Sequence, residues 1–342
     1  MGRPKKIIVN QILSDEETAK LQGCWIDESY IKLPVIRENI DVYYKDENGC
    51  EKLLLKFRKK CIKNSLIKLG WNSYKDLAKA SRGRGASAGP IDPNSVYWKK
   101  RNLSGTSKWS TSYLKADGEP SKMKVNNQVA SNPIGYWSAQ KNFCELPCRL
   151  THFTRVNYEK YNEGLPFIQR IDEMFQHLIP ESHKKQNERA NLKPHLKIPK
   201  TSFSTITINR NFRTALHRDA GDYKEGFGNL TVIERGNYHG GYTCFPQFGV
   251  AVDARSGDFL AMDVHQWHSN TPIYETDEDK KLNDKLDWAF KDNPAVGTVG
   301  LDKKYTRLTF VCYLREKIID CPDEIPKEFL TESGSSKIKL ND

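Results

Sequence analysis

Residues 201–264 run as short β-branched segments, which confines this part of the chain to a sheet-based fold. Residues 201–209 (TSFSTITIN), 229–234 (NLTVIE), 241–245 (GYTCF), 250–254 (VAVDA) and 259–264 (FLAMDV) are separated by Gly and Pro at the intervals of a sandwich or barrel. One more strand is expected at 307–314 (RLTFVCYL), after a polar stretch at 274–304 with eight acids against six bases. That stretch must loop out for residues on either side of it to meet.

Two potential metal ligands stand just past the end of the first of these strands. His217 and Asp219 are two apart, so on an extended backbone both side chains leave the same face, and His268 follows the strand that starts at Phe259. Two histidines and one carboxylate in this pattern form a facial triad, which leaves open positions on Fe(II) for a cosubstrate and O2. His268 is followed by Ser269-Asn270, whereas His265 arrives three residues early and is read as a pocket residue. A keto-acid cosubstrate such as 2-oxoglutarate needs a planar, bidentate cation for its far carboxylate. Arg307 suits that task, with Thr309 on the same face and Arg315 as the alternative. Asn209, Asn211, Arg213 and Asn229 flank the motif as candidates for the metal-bound end of the cosubstrate.

The runs HRDAGDYKEGFGNLTVIERG (217–236), GGYTCFPQFGVAVDARSGDFLAMDVHQWHSNTPI (240–273) and RLTFVCYLRE (307–316) resemble the TET/JBP family, closest to its JBP-like members, over about residues 130 to 320. The resemblance implies Fe(II), 2-oxoglutarate and O2 as cofactors, and oxidation of the 5-methyl group of thymine or 5-methylcytosine in DNA. It also implies a role for Asp222, three residues after Asp219, at the edge of a flipped base. The fold it implies is mainly β with flanking helices: a double-stranded β-helix (jelly-roll) core at 131–320, with 274–304 as an insertion. A basic α+β region is expected at 1–130 and a polar tail at 321–342. An oxygenase of protein side chains would carry the same triad and the same arginine, so it is the alternative. A nucleic-acid-binding jelly roll with structural histidines is the non-enzymatic rival.

Charge argues for the nucleic-acid reading. The chain carries +11 at neutral pH, and residues 51–84 hold eleven Lys and Arg against two acids, a net of +9. Arg58, Lys59 and Lys60, then Arg82 and Arg84 in the small-residue loop SRGRGASAGP, are candidates for phosphate contact. Tyr97-Trp98 beside Lys99, Lys100 and Arg101 offers rings for base stacking. The opening Gly2-Arg3-Pro4 is a weak AT-hook core.

No apolar run approaches eighteen residues and no signal segment is present, so an intracellular home is expected, nuclear in a eukaryote, with no membrane contact and no obligate protein partner. The eight cysteines lack a Cys-x-x-Cys pair and are read as reduced, packed thiols, with Cys144 and Cys148 as at most half a zinc site. A capping box at Ser14–Glu17 opens a helix, and Phe167, Ile168, Ile171, Met174, Phe175 and Leu178 make one apolar helical stripe ended by Pro180, read as packing on the outer face of the sheet. Residues 103–128 read as a long loop.

Overall fold

The computed structural model describes residues 4–139, 147–290, 298, 300–326 and 329–330. Its centre is a large mixed sheet. The strands are β1 (Lys5–Val9), β2 (Ile40–Lys45), β3 (Glu51–Arg58), β4 (Val129–Trp137), β5 (Thr205–Arg210), β6 (Gly228–Arg235), β7 (Thr243–Phe245), β8 (Val250–Val252), β9 (Phe259–Met262), β10 (Ser269–Asn270) and β11 (Thr306–Tyr313). The large sheet runs β1-β2-β3-β9-β6-β11-β5-β4, extended past β4 by Ala80–Ser81; β1 and β2 are parallel and the other pairs are antiparallel. A small antiparallel sheet, β8-β7-β10, is separate from it. The N-terminal strands therefore continue the sheet that the central motif builds. Residues 40–45 and 51–58 supply two of these strands, β2 and β3.

The pleat of β11 divides its residues between two environments. Leu308, Phe310 and Cys312 face helices, while Thr309, Val311 and Tyr313 face a cavity. On the helix side lie α2 (Asn64–Tyr74) and α3 (Leu165–Leu178), the second and third helices named here after α1 (Asp15–Lys20). Phe167, Ile168, Ile171 and Phe175 of α3 are fully buried against Ile206, Ile208 and Phe310, and Phe167 meets Phe310 edge-on at 5.0 Å. The apolar stripe thus packs where its spacing predicts. Pro180 ends α3 and also opens the next helix, Pro180–Ala190, where its missing N–H costs nothing. The Ser14 capping box forms as expected at the start of α1.

Three expectations are corrected. Cys148 and Cys321 form a disulfide across 173 residues of sequence, so these two are not reduced thiols, and Cys148 is no zinc ligand. The expected polar tail begins inside a core: Cys321 and Ile325 are buried with Leu196 and Ile318. Residues 103–128 are not a bare loop. They carry the paired strands Leu103–Ser104 and Ser112–Tyr113, packed with Val125 on Tyr97 and Trp98. Gly2, Arg3, Cys144 and residues 331–342 lie outside the described residues. No helix among the described residues is long and apolar enough to cross a membrane.

Candidate active site

The strand segment holding His217 is built into the edge of the small sheet. His217 and His268 form an antiparallel bridge, each N–H donating to the other's carbonyl at 3.0 Å, and Asn270 N–H donates to the Thr214 carbonyl. The two rings then stand side by side, centroids 4.4 Å apart. Each Nδ1 lies against the carbonyl two residues upstream, 2.8 Å from Ala215 for His217 and 2.9 Å from Gln266 for His268. A carbonyl only accepts, so both Nδ1 atoms carry the proton and both Nε2 lone pairs are free to bind a metal. Burial, reinforced by the neighbouring His217 ring, lowers the His268 pKa to about 4, keeping that ring neutral near pH 7. Asp219 is held by its own N–H on the Val264 carbonyl at 3.1 Å. Its two oxygens lie 3.7 Å from His217 Nε2 and 3.8 Å from His268 Nε2.

His217, Asp219 and His268 thereby offer three ligand atoms within 4.8 Å of one another. Two imidazole nitrogens and one carboxylate, held on one side with cavity on the other, suit Fe(II) with positions left for other ligands. The cavity has a volume of about 410 Å³ and lies between the small sheet and the cavity face of β4, β5 and β11. Thr207, Asn209, Thr309, Tyr313, Asn270 and Trp137 are among its wall residues.

Arg307 lies one pleat deeper than Thr309 on the same face and is 2% exposed, with its NH2 nitrogen buried and unpartnered. Its cross-strand neighbour Glu234 does not satisfy it, being engaged by Arg255 at 3.3 Å and by Ser256 N–H at 2.5 Å. A buried guanidinium with a free donor is costly unless an anion meets it, so a dicarboxylate cosubstrate fits this position. Asn211 fixes the arginine's backbone, accepting from Arg307 N–H at 2.7 Å. Asn209 bonds Thr309 Oγ1 at 3.0 Å and Ser131 Oγ at 2.5 Å, so it supports the wall.

Asp222 is also buried, with Oδ2 unpartnered. Burial, then the nearby Asp219, holds its carboxyl far above the usual carboxylate range, against the pull of Arg315. Burial thus favours the protonated form, which can donate a hydrogen bond. Arg315 lies over the Trp137 ring at 4.0 Å, at the cavity wall and away from Arg307.

Other sequence candidates are placed elsewhere. Asn229 pairs with Cys312, whose side chain is in the helix-side core, so it leaves the sheet on the face opposite the cavity. Arg213 donates to the Ile26 carbonyl at 2.8 Å and stacks on Trp25 in a second cavity of about 320 Å³. His265 is outside the wall, its Nε2 lying 3.3 Å from the Tyr223 carbonyl. The described part of 274–304 packs beyond the Arg307 end through Asn283, which bonds Asn237, and contributes nothing to the cavity wall.

Part of the basic run is engaged inside the protein, while Lys52, Lys63, Lys68 and Lys79 are exposed. Arg58 pairs with Asp41 at 2.7 Å and donates to the Ile40 and Phe57 carbonyls, and Lys59 pairs with the buried Asp258 at 3.5 Å. Lys60 and Arg82 stay exposed, whereas Arg84 turns towards the cavity. Removing Arg58 should therefore affect the fold rather than phosphate binding. Arg58→Gln is expected to cost about 1–3 kcal/mol in urea unfolding, the scale of charged hydrogen bonds. A variant with an unchanged unfolding midpoint, but a shallower dependence of DNA affinity on salt, would return Arg58 to the phosphate backbone.

The wall residues that sequence reading overlooked, Ser131, Thr207 and Tyr313, have one usable signal: their place on the polar side of strands whose other side is apolar. Comparison with known proteins agrees with the chemistry of the site. The family model for the oxygenase domain of the 2OGFeDO superfamily, Tet_JBP, matches residues 132–316. The bifunctional helicase and thymine dioxygenase JBP2 of Trypanosoma cruzi (strain CL Brener) is 33% identical over 234 residues, covering 64% of this chain and 19% of its own. JBP2 of Leishmania major is 29% identical over 217 residues, covering 61% and 17%. Thymine dioxygenase JBP1-B of Trypanosoma cruzi is 33% identical over 185 residues, covering 54% and 19%. The chain thus spans less than a fifth of the length of these relatives. The solved structure of NgTET1 in complex with 5mC DNA aligns with a TM-score of 0.47 at 11% identity, over 92% of this chain and 97% of that one.

Proposed function

Because this chain belongs to the Tet_JBP family, the oxygenase domain of the 2-oxoglutarate- and Fe(II)-dependent superfamily, we propose that it hydroxylates the 5-methyl group of thymine or 5-methylcytosine in DNA. The observation that carries the reading is the convergence of His217, Asp219 and His268 on one cavity, with the unsatisfied guanidinium of Arg307 beyond its Thr309 wall. In this reading the two sheets are the halves of a double-stranded β-helix core at 131–320, and residues 1–130 are a basic addition to it.

Iron bound with 2-oxoglutarate and O2 supplies the oxidant for an unactivated methyl group. The remaining tasks belong to the chain. His217 and His268 present Nε2 because the Ala215 and Gln266 carbonyls hold the Nδ1 protons. Arg307 and Thr309 receive the far carboxylate of 2-oxoglutarate, and Asn209 holds the Thr309 hydroxyl in place. The carboxyl of Asp222, whose protonated form burial favours, donates to the edge of a base flipped into the cavity, and Trp137 offers a ring to stack on it. No acid or base side chain needs to break a C–H bond. The chain's contribution is to fix the methyl group in place and exclude water.

The test is nucleoside mass spectrometry after incubation with Fe(II), 2-oxoglutarate and either unmethylated duplex DNA or the same duplex carrying 5-methylcytosine. The expected result is 5-hydroxymethyluracil from both duplexes or 5-hydroxymethylcytosine from the methylated one. Iron-dependent succinate without any oxidised nucleoside from either would shift the reading to the alternative, hydroxylation of protein side chains.

A further inference from the structure

The loop at 81–90 reaches the cavity from outside the segment that the family model covers. It is held on three sides. Gly85 N–H donates to Asn126 Oδ1 at 2.9 Å, and Asn126 Nδ2 to the Trp109 carbonyl at 2.7 Å. The Ser87 carbonyl accepts from Ala215 N–H at 2.9 Å, two residues before His217. Ser87 Oγ bonds the Arg84 carbonyl at 2.7 Å, closing the turn that aims the side chain. Gly83, Arg84, Gly85, Ala86 and Ser87 all line the cavity.

The Arg84 guanidinium ends in a buried NH2 nitrogen with no hydrogen-bond partner. The charged groups near it are Asp219 and Arg315, with the neutral Tyr313 phenol beside them, and none of these is hydrogen-bonded or ion-paired to it. Asp219 is a candidate metal ligand, so its carboxylate is not free to serve as a counter-ion. A guanidinium nitrogen buried without a partner costs stability, and the hydrogen-bonded loop keeps it there. We propose that Arg84 is a substrate-positioning residue that donates to a ring carbonyl oxygen of the pyrimidine entering the cavity. This rests on the reading that the substrate is a base in DNA. A carbonyl edge fits better than a phosphate. The NH2 nitrogen is inside the wall beside Asp219 and Tyr313, whereas phosphates stay with the strand outside.

Two independent readouts test it. With no protein partner to lose, Arg84→Met should raise the melting temperature of the ligand-free chain by roughly 1–2 °C, the shift expected in a chain of this size when one buried, unpaired donor is removed. It should also weaken binding to a short thymine-containing duplex roughly tenfold to a hundredfold, the scale of a charged hydrogen bond. The same duplex with an abasic analogue at the target position should be bound equally by variant and native chain. A lowered melting temperature would make Arg84 a structural residue and overturn the proposal. An equal loss on the abasic duplex would show it to be a phosphate contact, and lost 2-oxoglutarate affinity with DNA binding intact would show it to be a cosubstrate clamp. Either result overturns the proposal. If the native chain itself does not distinguish the two duplexes, the DNA-base reading fails and the proposal falls with it.

Discussion

Alanine at His217, Asp219 or His268 is expected to abolish iron-dependent succinate formation and, in a direct titration, Fe(II) binding. Three ligands on one face are the minimum that holds the ion while leaving positions for cosubstrate and O2. The loss should be close to complete at each position, because the remaining two ligands come from strands that the His217–His268 bridge holds rigidly apart from any substitute. His265→Ala is the control. Its ring bonds the Tyr223 carbonyl and is absent from the cavity wall, so turnover should stay close to native. An inactive His265→Ala beside an active His268→Ala would reverse the ligand assignment.

The second large effect is expected at Arg307. Lysine keeps the positive charge but loses the planar fork, and its ammonium would sit near two acids that are already engaged, Glu234 by Arg255 and Ser256, and Asp253 by Arg37 and Arg255. Arg307→Lys should therefore weaken 2-oxoglutarate binding by about 1–3 kcal/mol, with DNA affinity measured without cosubstrate little changed. A 2-oxoglutarate titration that does not move would take Arg307 out of the site, and a matching shift on Arg315→Lys would place the clamp at the other end of the strand.

The sheet and its helix were legible because each depends on local spacing. The alternation of Arg307, Thr309, Val311 and Tyr313 with Leu308, Phe310 and Cys312 separates cavity from core by the two-residue pleat alone, and the stripe in α3 follows from the helical repeat. The metal cluster was legible for the same reason. A two-residue spacing sets two ligands on one face, and a third histidine after a later strand can return to them.

What sequence reading missed depends on partners distant in the chain. Arg58 and Lys59 look like free charge until Asp41 and Asp258 are brought against them by β2 and the turn before β9. Asn229 looks like a site residue until the register with β11 sets it opposite Cys312. Cys148 and Cys321 have no local signature at all, because 173 residues separate them.

By itself, then, the sequence determined which side chains are candidates for the metal cluster and which face of each strand they share, since the backbone repeat is imposed by covalent geometry. The tertiary structure decided which charges are neutralised and which remain without a partner, because pairing and desolvation act through space between strands that the sequence does not order. Arg84 shows the difference: a surface arginine by composition, it becomes a buried, partnerless donor at the cavity only because Asn126 and Ala215 hold its loop there.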